Sequence, residues 1–369
     1  MVPLYYPNLH SLVITHESIT DDLIVNLASS CKNLVSFQSG TCIKIADSTL
    51  KKLENLHSLQ ILSLGNADCM SGQTLLGILK SCKKLSHLSL LMTLLKFRFL
   101  TKDHQFESVR SLDLTLGPID DVSIQKIVTS FPGLVELCLS NCVNLTTNSL
   151  SVIGSHCKHL ECLNISYTGI DEFSEELGNL LMQIGANLHL LDLSGISQIK
   201  TSLFGKYCPR LEKLCLNHCP YMETEWITKP VRIPGSSRSS MKDFSLLEVC
   251  PLLVALQIDP RNKPSEDSDF DMEMILRGGA GLKSLAINSI PGFTDDSMQS
   301  TIEYMNLTEL RHFNVSGNIG VTTAGIWLAI DAMCNLQTIK ITECDVVTME
   351  YNELMKKCRR KGFELDILR

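Results

Sequence analysis

Along this chain leucine returns in a fixed phrase. From Leu134, further leucines stand three and five residues on, at Leu137 and Leu139. The same L-x-x-L-x-L spacing, with Ile, Val or Phe admitted at the inner places, starts at Leu9, Leu59, Leu85, Leu160, Leu188, Leu211, Leu253, Leu282, Leu310 and Leu336. Looser copies start at Leu34 and Val109, which makes thirteen units, most of them 23 to 29 residues long. Repetition at such a period marks a solenoid, in which each unit covers an apolar flank of the next.

Each unit divides into two halves. Alternating apolar places, such as Leu163 and Ile165 or Leu191 and Leu193, predict a strand with one face buried. A polar turn follows, written "ITDD" from Ile19, "IDD" from Ile119, "FTDD" from Phe293 and "VTT" from Val321. Thr or Asp there can cap the free N–H groups that open a helix, and a following acid suits its positive end. "LIVNLASSC" and "SLSVIGSHC", with apolar residues three and four apart, then predict short helices. A helix is roughly 10 Å wide and neighbouring strands sit about 4.8 Å apart. Stacked units must therefore curve, with strands inside and helices outside.

The fifteen cysteines change this picture little, because most fall into two places of the repeat. Cys31, Cys82, Cys157, Cys208 and Cys250 stand three residues before an anchor leucine, and Cys334 stands two before. Cys42, Cys142, Cys219 and Cys344 stand eight after an anchor, in the turn below the strand. A thiol is small, buries well and is a weak donor, which suits a tight turn. No C-x-x-C pair supports a zinc site, so no metal is expected. Cys138, Cys162 and Cys215 fall on outward strand places, where a thiol can be exposed.

The combination L-x-x-L-x-L-x-x-C-x-x-[LIV]-[TS]-[DT], closed by C-[KP]-x-L, resembles the cysteine-containing subclass of leucine-rich repeats. The resemblance covers nearly the whole chain. It implies an α/β leucine-rich-repeat solenoid: a curved horseshoe of about 13 repeats, with parallel strands on the concave face and short helices on the convex face. A single domain over residues 1–369 is expected. That subclass is typical of F-box/leucine-rich-repeat proteins, the substrate receptors of cullin–RING ubiquitin ligases. The resemblance thus implies a substrate-recognition subunit of an SCF-type ligase, or a fragment or isoform of one. A regulatory binding protein unconnected to ubiquitylation is the alternative.

The chain departs from that family at its start. The repeats begin by Leu9, and no L-P-x-E-like segment is present. Only "MVPLYYPN" precedes the first anchor, so the first unit is expected to need a partner or a longer, F-box-bearing form to cover it. A Skp-type adaptor and cullin are expected as partners only through such a form.

The repeat also makes its own irregularities visible. The stretches near 223–246 and 259–273 are insertions, the first carrying Trp226, Arg232 and Arg238 and the second rich in acids. Long loops on a compact scaffold are often functional, and an aromatic in a polar loop is a plausible anchor. On the concave face the outward places add Asp113, Glu136, Asn164, Asp192 and Lys213. Short polar groups spread over a sheet suit a protein or an extended peptide, and these eight residues are the candidate partner-binding set.

Composition narrows the classes that remain. The chain is 44% hydrophobic with a net charge of −7, which provides a large core and argues against a nucleic-acid surface. The apolar run Leu88–Leu95 is too short for a membrane span, so no membrane partner is expected. So many thiols in a long, core-rich chain point to the reducing cytoplasm or nucleus. No G-x-x-x-x-G-K, G-x-S-x-G or H-E-x-x-H motif occurs, so neither catalysis nor a cofactor is expected. His156 beside Cys157 is the nearest approach to a catalytic pair.

Overall fold

The computed structural model describes residues 7–15, 19–170, 175–196, 199–200, 202–219, 222–223, 253, 255–259, 281–290, 292–304, 307–344, 351–361 and 364–366. Two compact units are distinguished, Met1–Ile184 and Gly185–Arg369. Both are leucine-rich-repeat solenoids.

In the first unit the strands are β1 (Ser11–Ile14), β2 (Ser36–Ser39), β3 (Ile61–Leu64), β4 (His87–Ser89), β5 (Ser111–Asp113), β6 (Glu136–Cys138) and β7 (Cys162–Asn164). They lie side by side in chain order and are parallel throughout. The second unit holds β8 (Leu190–Asp192), β9 (Ile199–Lys200), β10 (Lys213–Asn217), β11 (Met222–Glu223), β12 (Ala255–Asp259), β13 (Ser284–Ile287), β14 (His312–Asn314), β15 (Thr338–Lys340) and β16 (Glu364–Asp366). Its main sheet runs β8-β10-β12-β13-β14-β15-β16, and β9 pairs separately with β11.

The register places like on like. Phe37, Leu62, Leu88, Leu112, Leu137 and Leu163 form one buried column across β2 to β7. Leu191, Leu214, Leu256, Leu285, Phe313 and Ile339 form its counterpart in the second unit. Each such side chain contributes about 1.5–3 kcal/mol by leaving water. All thirteen anchors carry a strand as expected. β16 is a further strand that the leucine phrase misses, because its anchor place falls on Gly362.

Helix starts follow the polar turns. Thr20, Asp120 and Thr322 accept hydrogen bonds from the N–H groups of Leu23, Ser123 and Ala324, opening helices Asp21–Ser30, Asp121–Ser130 and Thr323–Ala332. The acid after the cap does more than face a helix dipole. Asp121 accepts from the N–H of Thr146 at 3.0 Å, from its hydroxyl at 2.6 Å and from the Ser149 hydroxyl. Asp21 accepts from Ala46 N–H, Asp47 from Ser71 N–H, and Asp295 from Thr322 N–H. Each acid therefore staples its own helix to the start of the next repeat.

Most of the described cysteines at these two places are buried; Cys344 is half-buried, and Cys250 lies outside the described residues. In the turn, Cys142, Cys219 and Cys344 donate their thiols to the carbonyls of Leu114, Leu193 and Val315 in the preceding repeat. At the helix ends Cys31, Cys82, Cys157 and Cys208 are buried. Cys334 is not: it is exposed, and Met333 takes the buried place three before the anchor. Of the three on outward strand places, Cys215 is buried, while Cys138 and Cys162 are half-buried.

Most strand exits turn through one left-handed residue, three after the central outward place. Asn66, Met92, Leu116, Asn141, Tyr167, His218, Ser289 and Glu343 have φ between 51° and 61° there, and Gly195 and Gly317 have 77° and 78°. The conformation lets the N–H groups of Met92, Leu116 and Asn141 reach the carbonyls of Thr115, Ser140 and Ser166 in the next repeat. It costs a non-glycine residue about 1–2 kcal/mol.

Candidate protein-interaction surface

The pleat decides which side chains leave the sheet on the strand side. In the first unit these include Asp113, Glu136 and Asn164, and in the second Asp192 and Lys213. Hydrogen bonding separates them into two kinds.

Asp113, Asn164 and Asp192 are half-buried and bonded within their own turns. Asp113 Oδ1 accepts from the N–H of Thr115 at 3.0 Å and from its hydroxyl at 2.6 Å, while Oδ2 accepts from the Ser89 hydroxyl at 3.2 Å. Asn164 Oδ1 accepts from Ser166 N–H at 2.9 Å and its hydroxyl at 2.7 Å. Asp192 Oδ1 accepts from Ser194 N–H at 3.0 Å, and Asn314 Oδ1 repeats the motif with Ser316 at 3.1 and 2.6 Å. A short acidic or amide side chain bonding two residues ahead closes a turn. The signal was present in the words D-L-T, N-I-S, D-L-S and N-V-S at these places.

Glu136 and Lys213 begin their strands and are exposed. The candidates are not gathered in one place: Asp113 and Glu136 lie on neighbouring β5 and β6, Asp192 and Lys213 on neighbouring β8 and β10. Trp226, Arg232 and Arg238 lie outside the described residues, as do all but the first residue of each of the stretches 223–246 and 259–273.

The second unit holds a feature that scattered polar places did not announce. A concavity of about 230 Å³ opens on its sheet across β10, β12, β13, β14 and β15. Small side chains make it: Ala255, Ser284 and Ala286 leave the middle strands low, and Cys215 is buried beside them. Lys213 borders one side, with His312 and Lys340 on the other. The Nδ1 of His312 lies 2.8 Å from the Thr338 hydroxyl.

Three thiols named in the sequence reading, Cys215, Cys138 and Cys157, are held in their neutral form. Burial pushes Cys215 up to about 11, with the charge of Asp192 adding to it. Burial also raises Cys138, against a 3.2 Å contact with the Thr115 hydroxyl. Cys157 is pushed up to about 12 by burial, and the neighbouring His156 turns its Nδ1 to the Val152 carbonyl at 2.9 Å and the Ser155 hydroxyl at 3.0 Å. His156 thus turns its Nδ1 to its own helix, beside a thiol raised by burial.

Among the described residues, no helix is long and apolar enough to cross a membrane. No protein-family model matches the chain. Its sequence is 23% identical over 227 residues to the DNA repair protein rhp7 of Schizosaccharomyces pombe, which covers 54% of this chain and only 37% of that protein. The chain thus spans little more than a third of the length of this curated relative. In structure it resembles an internalin (inlF) of Listeria monocytogenes, with a TM-score of 0.50 and 15% identity over 100% of this chain and 89% of the other. It also resembles the yeast Rad7–Elc1 complex structure, with a TM-score of 0.52 and 15% identity over 97% of this chain and 74% of the matched one. These likenesses show the leucine-rich-repeat solenoid fold.

Proposed function

We propose that this chain is a protein-interaction scaffold that acts as the substrate-recognition subunit of an SCF-type cullin–RING ubiquitin ligase, whole or as a fragment or isoform of one. The observation that carries the scaffold reading is the concavity on the strand face of the second unit, shaped by small side chains and bordered by polar ones. Such a surface recognises another chain by shape and hydrogen bonding. Rad7 has this fold and was crystallised with Elc1. Assembly with an adaptor, and through it a cullin, is carried to this chain as part of the proposal, with an F-box supplied by a longer form where the adaptor is of the Skp type. The setting is the cytoplasm or nucleus, and the rhp7 likeness directs the search for substrates to DNA repair.

Affinity purification of the full chain from cells, followed by mass spectrometry, tests the ligase reading. Co-recovery of a cullin with a Skp-type or Elc1-like adaptor is the expected result. A stable protein partner without either would leave a regulatory scaffold unconnected to ubiquitylation.

A further inference from the structure

The strand exits of the first unit carry bulky apolar side chains that neither the turn nor water favours. Met92 and Leu116 hold the left-handed places that follow β4 and β5, with φ of 56° and 61°. At the same place of other repeats Asn66, Asn141, Gly195 and Gly317 make the turn with residues that adopt this conformation more readily. Leu94 and Val143 stand two residues beyond that place, after β4 and β6. All four side chains are between 43% and 67% exposed, so burial does not account for them. Strain kept at an exposed apolar residue points to a role outside the fold itself.

The four belong to one surface. The N–H groups of Met92 and Leu116 reach the carbonyls of Thr115 and Ser140 at 2.9 Å, so the exits of β4, β5 and β6 stack as their strands do, about 4.8 Å apart. From the left-handed place onward these exits read Met92-Thr93-Leu94, Leu116-Gly117-Pro118 and Asn141-Cys142-Val143, without a charge. In the repeat before them the same three places end on the exposed Asp68, which bounds the stripe. A contiguous apolar stripe open to water marks an interaction site.

We infer that this stripe docks the apolar face of a helix in a protein partner. The site is independent of the trough in the second unit and of the ligase reading. A charge pressed against the stripe would lose water and gain no partner, so the docking face must be uncharged. An extended segment would need free backbone groups to pair with, and the N–H groups of Met92, Leu116 and Asn141 are already bonded to the next repeat. A helix satisfies its own backbone. From β4 to β6 the stripe covers two strand spacings, about 10 Å, which two helical turns match with side chains at i, i+4 and i+7. A second copy of the chain would need about 800 Å² from each partner, well beyond four part-exposed side chains. A lipid surface would call for a cluster of basic residues beside the apolar ones, and of the two that follow Leu94, Lys96 and Arg98, the second is held by Asp120. Leu116 is five residues along from Ser111, so a helix at the exits leaves the strand starts uncovered.

The test presents the full chain with a displayed library of helical peptides, each about 15 residues of alanine, glutamate and lysine randomised at i, i+4 and i+7. The selected peptides are expected to carry Leu, Ile, Met or Phe at those three places. In fluorescence anisotropy Leu94→Asp and Leu116→Gly should each weaken the tightest of them by about tenfold, with a melting temperature unchanged or raised, since both side chains are exposed and Leu116 is strained. Lys213→Glu, in the second unit, should bind it as the unaltered chain does. Charged residues at the three places, no enrichment at all, or full affinity in either leucine variant would each overturn the inference. So would two other results, if Leu94→Asp abolished them: sedimentation of the chain with phosphatidylserine–phosphatidylcholine vesicles, or a dimer of the chain in analytical ultracentrifugation.

Discussion

Asp113 in the first unit and Lys213 in the other unit face outward from nearby places of the same repeat frame, and they do opposite things. Both Asp113 oxygens are engaged, by Thr115 and by Ser89 of the neighbouring strand, so the carboxylate holds its own turn. Lys213 is exposed and borders a trough, and it makes no ion pair among the described residues. Asp113 and Asp121 serve the packing of repeats, while Lys213 is exposed on the strand face. Position on the strand face does not make a residue part of a binding site; the partners of its polar atoms decide.

The largest effect should come from breaking a staple. Asp121→Ala removes the acceptor for Thr146 and for the fully buried Ser149, and should destabilise the first unit by about 2 kcal/mol. Urea unfolding measures it, and amide protection in the second unit should not change. Equal loss of protection in the second unit would erase the contrast between the units.

Next comes Cys142→Ser, which places a more polar hydroxyl where a buried thiol meets the Leu114 carbonyl, at a cost of roughly 1–2 kcal/mol. The same burial has a pH signature. Cys142 and Cys157 in the first unit and Cys219 in the second are each pushed up to about 12, by burial above all. Unfolded thiols ionise from the reference value of 9.0, so this stability is whole below that pH and is lost as pH rises towards 12. Thermal melts at rising pH should show both units weakening together.

Acid should separate them. In the first unit Asp120 is held down to about 2, chiefly by the Ser123 hydroxyl and with help from Arg98. Burial opposes the charge of Asp121 and Asp47, but hydrogen bonds from Ser149 and Thr146, and from Ser71 and Thr74, outweigh it and keep both below the usual range. A carboxylate held low stabilises the fold above its unfolded value, and that stability is lost as pH falls through the folded value. Hydrogen exchange below about pH 4 should therefore show the first unit opening ahead of the second. Simultaneous opening would weaken the claim that, among the described residues, the carboxylates held low by hydrogen bonds lie in the first unit.

A smaller effect is expected at a strand exit. Leu116 has φ of 61° and is 47% exposed, so Leu116→Gly relieves strain and gives up little burial. After the extra backbone entropy of glycine, stability should rise by no more than about 1 kcal/mol. Smallest of all, Lys213→Gln should shift stability by less than about 0.5 kcal/mol, because the residue is exposed.

The repeat phrase made the strands, the buried columns and most cysteine places legible, because each rests on a spacing that stacking must preserve. β16 escaped it where Gly362 stands in the anchor place, and Cys334 misled because Met333 fills the buried slot as well as a thiol would. The caps were readable in Thr20, Asp120 and Thr322, but the acids after them bond a repeat away, a distance no local word records. Met92, Leu116 and Tyr167 carry none of the usual glycine or asparagine marks of a left-handed turn. Of the candidate site, Lys213 was readable as an outward charge. The trough beside it was not, since it is made by what Ala255, Ser284 and Ala286 lack and appears only when their strands lie side by side.

Ser111 on β5 and Ser284 on β13 begin their strands at the same place of the repeat, one in each unit, and both are half-buried. A photo-crosslinking amino acid introduced at either one, in the full chain within cells, compares the two strand faces directly. Proteins joined at position 284, with little or nothing joined at 111, are what the account predicts. Capture at 111 with none at 284 would contradict it.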